Sequence, residues 1–224
     1  KATDTLTVTA PVALVHPADL AGCGHYRVMQ PFLAMKSEGL LDGAISTGLM
    51  HVTDLERYNP DCIVLQRQIG DARLEAMRRM QKFSRAVKVY ELDDYLPNLP
   101  LKSVHRKDMP KDILRSLRRG LSFVDRFVVS THALAEAFSG LHGEIVVREN
   151  RLPLSWWDGL QTQRRQGKKP RVGWAGGSSH TGDLELIADV VRDLADEVEW
   201  VFFGMCPEAL KPSVHGFPGG VAIE

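Results

Sequence analysis

Val12-Ala13-Leu14-Val15-His16, followed by Gly22-Cys23-Gly24-His25-Tyr26-Arg27, is the stretch on which the fold turns. Four apolar residues in a row ahead of a glycine-bearing loop read as a parallel strand buried on both faces. From Arg27 to Lys36, Val28, Phe32 and Met35 fall at helical spacing, and Gly39 closes the segment. A buried strand, a tight glycine loop and a helix form the opening of a βαβ unit.

The same alternation continues downstream. Ala44–Met50 reads as a second strand, and Asn59-Pro60 as a turn. Cys62–Leu65 is a third strand. Asp71–Phe83 is an amphipathic helix with Leu74, Met77 and Met80 on one stripe. Val87–Leu92 is a fourth strand that runs into Asp93-Asp94. Helix Lys111–Leu121, strand Arg126–Val129, helix His132–Phe138 and strand Glu144–Val147 follow. Strands separated by helices at this spacing predict an α/β fold with a Rossmann-like, doubly wound parallel sheet.

The composition shifts between Asn150 and Pro170, with Pro153, Trp156-Trp157 and a basic run from Gln161 to Lys169. We read residues 1–152 as the first domain, 153–170 as a linker and 171–224 as the start of a second domain. That second part holds strand Arg171–Ala175, a glycine-serine loop, helix Asp183–Ala195 and strand Val198–Phe203. One such unit is too small to close its own core, so the rest of the domain is expected to be missing or supplied by packing on the first, and the chain is expected to be a piece of a longer protein.

Bulk composition narrows the function classes. The 224 residues are 44% hydrophobic and 25% charged, with zero formal net charge. The strongly basic face that a nucleic-acid partner needs is missing. Three scattered cysteines, Cys23, Cys62 and Cys206, give neither a disulfide framework nor a zinc pattern and suit a reducing cytosol. No apolar run reaches membrane-spanning length.

Three loops carry candidate chemistry. Gly22 and Gly24 let backbone approach a ligand, and His25, Tyr26 and Arg27 add polar groups that a turn does not need. The string lacks the third glycine of the dinucleotide fingerprint, and the acidic residue about 20 positions on, Asp42, precedes the second strand. Both features weigh against NAD. Gly176-Gly177-Ser178-Ser179-His180 joins a strand to a helix and could hold a diphosphate; a plain bend capped by Thr181 or Asp183 is the other reading. Asp93 and Asp94 lie at the carboxyl end of a strand, where open α/β sheets bind ligands. Strand alternation turns at most one of them to the cleft, and no metal is expected there. The remaining polar features read as structural: His16 as a satisfied neighbour with lining of the cleft as the alternative, Trp156 and Trp157 as linker packing with sugar stacking as the alternative. Arg164-Arg165 and Lys168-Lys169 read as a solvated face, with contact to an anionic membrane surface as the weaker option.

Taken in order, Gly22–Arg27, Tyr90–Asp94, Asn150–Pro153, Arg171–His180 with Asp183-Leu184, and Val201–Gly204 resemble the group 1, family 4-like bacterial glycosyltransferases of the two-Rossmann-domain (GT-B) type. The resemblance implies sugar transfer from a nucleotide-diphosphate sugar to a glycan or lipid-linked acceptor, without metal or bound cofactor. Such an enzyme would work in the cytoplasm, at most peripheral to the membrane's inner face, in surface-polysaccharide synthesis. It implies His25 and Asp94 as catalytic residues. Gly22, Gly24, Arg27, Gly176, Gly177, Ser178 and His180 would contact the donor. The arginine, lysine and paired glutamates usual in that family are not found up to Glu224, so the stretch as given is expected to lack full activity. A nucleotide-sugar epimerase and a non-catalytic nucleotide- or glycan-binding module are the competing readings.

Overall fold

The computed structural model describes residues 9–98, 109–161, 169–177 and 180–216. The chain divides into two compact units, with the main boundary between Asp158 and Gly159.

The first unit is built on six parallel strands: β1 (Val12–His16), β2 (Asp42–Ile45), β3 (Cys62–Gln66), β4 (Val87–Leu92), β5 (Arg126–Val129) and β6 (Ile145–Val147), in the order β2-β1-β3-β4-β5-β6. Helices α3 (Val52–Tyr58), α4 (Asp71–Phe83), α5 (Ile113–Leu121) and α6 (His132–Ala137) supply the main core. Leu55, Leu74, Met77, Leu117, Leu121 and Leu134 pack there on Leu14, Ile63, Leu65, Tyr90, Phe127 and Val129 of the strands. The other face carries a smaller cluster, Ala13, Val15, Val28 and Phe32. This is a Rossmann-like α/β fold with a doubly wound parallel sheet.

The helix after β1 begins earlier than its apolar spacing suggests. It comprises α1 (Gly22–Gly24), a π turn (His25–Met29) and α2 (Gln30–Ser37) in unbroken succession. Pro31 lies just after the wide turn; it has no N–H to give to Arg27 and its ring crowds that carbonyl, which a wider turn relieves.

Strand β2 is shorter than expected and shifted back to Asp42–Ile45. The chain leaves the sheet after Ser46, whose N–H donates to the Val15 carbonyl at 2.9 Å. Helix α3 has no sequence signature of an apolar stripe, because only Leu55 in it is buried. His51 caps it, and Asn59 ends it in the left-handed region at φ 46°. Within the expected linker, α7 (Leu154–Trp157) forms one short turn.

In the second unit, β7 (Arg171–Ala175) and β8 (Glu199–Phe203) pair in parallel as a separate sheet. Leu184, Val191, Trp200, Phe202 and Leu210 form its core. The single helix expected over Asp183–Ala195 is two: α8 (Thr181–Leu186) and α9 (Ala188–Asp193). The break at Ile187 leaves the apolar stripe in place, since its two fully buried residues are still seven positions apart. Leu184 and Val191 are buried, while Ile187 stays 39% exposed. The β-branched side chain of Ile187 weakens helix continuity there. Residues Glu208–Ser213 add a 3₁₀ turn that packs Leu210 inward.

Candidate functional site

The sheet order places the topological switch point of the first unit between β1 and β3, and their carboxyl ends form a polar cluster. Asp19 organises the loop after β1. Its Oδ1 accepts from the amides of Ala21 and Gly24, both at 3.1 Å. Its Oδ2 accepts from Arg67 at 2.8 Å. Gln66, fully buried at the end of β3, ties the two loops: Oε1 accepts from Ala18 N at 2.9 Å and Nε2 donates to the Cys23 carbonyl at 3.1 Å.

Arg67 follows β3 with φ 45°, a left-handed conformation that costs a non-glycine residue free energy. Its amide donates to the Glu91 carbonyl at 2.9 Å, and its guanidinium lies 3.7 Å from Asp94. One strained arginine therefore joins the loops after β1, β3 and β4.

Asp93 and Asp94 do not obey strand alternation, because β4 ends at Leu92. Both reach Cys23: the thiol and one oxygen of each carboxylate lie within 4.8 Å of one another. Burial, then the neighbouring Asp93 carboxylate, pushes the Cys23 thiol up to about 12. The cluster has cation-ligand geometry, yet Arg67 already sets a positive charge beside Asp94.

The sequence-derived residues divide. Asp94 lies in this crevice, exposed and beside Arg67. Gly22 is exposed, and a Cβ there would meet nothing within 4 Å. Gly24 serves the loop itself, since a Cβ would fall 1.7 Å from the Asp19 carbonyl oxygen. His25 is half-buried; its ring stacks on Trp156 at 6.0 Å and meets Tyr26 edge-on at 5.1 Å, and its Nε2 is buried without a partner among the described residues.

Arg27 is corrected outright. The sequence reading set it against donor phosphates, but it is 2% exposed and tied to Glu91, also 2% exposed, at 2.5 Å. It also donates to the Arg148 carbonyl at 2.6 Å and to Asn150 Oδ1 at 2.9 Å. Burial raises the Glu91 carboxyl, and Arg27 opposes that shift. Arg27 is thus an internal counter-ion. The guanidinium at the crevice belongs to Arg67, which carries no sequence motif. Its only legible signal is its place directly after a parallel strand.

In the second unit, the loop after β7 is partly committed to its own fold. The Gly176 amide donates to the Phe203 carbonyl and the His180 amide to the Gly177 carbonyl, both at 3.1 Å. Gly204, at φ 91°, meets it from the end of β8; a Cβ there would sit 2.4 Å from the Gly176 carbonyl oxygen. Gly177 is open, with nothing within 4 Å of an added Cβ. His180 is exposed, and its Nδ1 lies 2.8 Å from Asp183 Oδ2. Ser178 and Ser179 lie outside the described residues, as do Arg164, Arg165 and Lys168 of the basic run.

No family model matches the chain, and no curated protein matches its sequence. Among the described residues, no helix is long and apolar enough to cross a membrane.

Proposed function

We propose that this chain handles a nucleotide-diphosphate sugar and belongs to a metal-independent glycosyltransferase acting on a glycan or lipid-linked acceptor in the bacterial cytoplasm. The first unit takes the acceptor side, and the second takes the donor side. The observation that carries the reading is the same local design in both units. Each has a parallel sheet with a glycine-bearing loop at the carboxyl ends of its strands, where ligands of open α/β sheets sit.

Within the second unit, His180 and the open backbone at Gly177 are the groups that would meet the diphosphate as negative charge develops on it. Within the first, Arg67 replaces Arg27 as the candidate cation, and Asp94 is the exposed carboxylate beside it. Gly22 offers open backbone at the same crevice.

Calorimetric titration with UDP and GDP tests the donor assignment. Binding of one of them, weakened about tenfold by His180→Ala, is the expected result. Nucleotide affinity unchanged by that substitution removes His180 from the site, and no binding by either nucleotide removes the donor reading. Labelled sugar appearing on an added acceptor separates transfer from epimerisation, which needs no acceptor. Binding without turnover would favour a non-catalytic module.

A further inference from the structure

The sheet of the first unit is covered unevenly. On the face that carries α2, Ala13 and Val15 of β1 lie under Val28 and Phe32. Farther across the same face, the interior strands β3, β4 and β5 and the edge strand β6 carry apolar side chains with little over them among the described residues: Val87 is 49% exposed and Val146 37%, and Val64, Val89 and Val128 are only half-buried. Parallel strands are normally buried on both faces. Between α2 and this uncovered strip runs a cavity of about 260 Å³, floored by Ala13, Val64, Val89 and Val128 and walled by Val28 and Phe32.

One end of the cavity is charged. Arg27, Glu91 and Arg148 all line it. Arg27 Nη2 and Glu91 Oε2 are buried without partners among the described residues, on side chains 98% hidden from solvent. Arg148 forms no ion pair among those residues, and its neighbour Glu149 is engaged by Arg151 at 3.0 Å. Burial and the nearby Arg27 both weaken Arg148's hold on its proton. Two guanidinium cations therefore face one carboxylate in a place of low polarity, with a donor and an acceptor unspent. An apolar helix laid on this face would cover the valines and leave those atoms unsatisfied. A molecule with an alkyl chain and an anionic head satisfies both ends.

We propose that the groove between α2 and β3–β5 binds an alkyl-chain anion, its head group held by Arg148 and Arg27 Nη2 and its chain lying on Val64, Val89 and Val128. The head can be carboxylate or phosphate; a singly protonated phosphate would also donate its hydroxyl to Glu91 Oε2. This site does not depend on the glycosyl-transfer reading.

The test is calorimetry with decanoate, decyl phosphate, decanol and decyltrimethylammonium on the whole chain. One equivalent of at least one anion should bind, more tightly than decanol, with the cation weakest. Arg148→Gln should weaken the anions about tenfold and leave decanol unchanged. Val128→Trp, which fills the floor, should abolish binding of every probe. Peptide mass spectrometry gives a readout that needs no variant: Cys62 lines the groove, so the bound anion should slow its alkylation and leave Cys206 unaffected. If neither anion binds, the proposal is wrong. It is equally overturned if binding ignores both substitutions, or if light scattering shows a dimer that Val128→Trp dissociates, since the face would then belong to a second copy.

Discussion

Replacing Arg27 by alanine should strongly destabilise the first unit. The substitution leaves the Glu91 carboxylate 2% exposed with its cation gone. It also removes the bonds to the Arg148 carbonyl and to Asn150 that hold the chain after β6. Breaking a buried ion pair by deleting one partner costs about 3–5 kcal/mol, most of it the stranded charge. For a unit of this size that lowers Tm by roughly 10 °C or more. Urea unfolding followed by far-ultraviolet circular dichroism measures it, with Arg27→Met/Glu91→Leu as the control. The double variant removes both charges and should recover most of the loss, because an apolar pair in place of a buried ion pair is often neutral. The pH dependence has a definite sign. Burial already raises the Glu91 carboxyl, and Arg27 offsets part of that. Without Arg27 its folded-state pKa rises further above the unfolded value, so stability present at low pH is lost as pH rises through the folded pKa. The deficit of Arg27→Ala should therefore be smaller near pH 5 than near pH 8. A single variant within about 1 kcal/mol of wild type at pH 8 would refute this account, as would a double variant no better than the single.

Three further outcomes are expected. Gly24→Ala should destabilise the first unit by about 3 kcal/mol in the same urea assay, since its methyl would lie 1.7 Å from the Asp19 carbonyl oxygen; a neutral result would mean that the loop shifts freely. His16 is buried, which lowers its pKa, so the stability it contributes is complete above its ordinary value near 6.5 and lost as pH falls through the folded pKa; His16→Asn should flatten the decline in stability between about pH 7 and pH 5. Cys23, held up to about 12, should resist iodoacetamide near pH 8, and Asp93→Asn should speed its alkylation by relieving the neighbouring charge; equal rates would remove Asp93 as a cause.

The sheet was legible because its strands are short apolar runs bounded by turn residues. Cys62, Val87 and Arg126 are first residues of strands in both readings. Helix Asp71–Phe83 was legible for the complementary reason: Leu74, Met77 and Met80 repeat at helical spacing and all three are buried. What escaped was structure set by single contacts. Helix α3 buries only Leu55, so it leaves no stripe to read. The break at Ile187 is a local competition between helix and a β-branched side chain. The site was less legible than the fold for a similar reason. Gly24, Arg27 and Asp94 stand out as types, but burial decides their roles. Arg27 looks identical in sequence whether it faces a phosphate or Glu91, and only the sheet supplies its partner from 64 residues away.

The wide turn at His25–Met29 fixes the phase between the two ends of its helix. Each residue of an α-helix advances about 100° and 1.5 Å. A π turn takes up one residue more than an α turn over nearly the same rotation and rise, so loss of one residue from this segment would trade the bulge for a regular helix and leave the preceding residues almost in phase with Phe32. Loss of a single codon here should therefore be tolerated better than in Asp71–Phe83, where it would throw Leu74 out of register with Met77 and Met80.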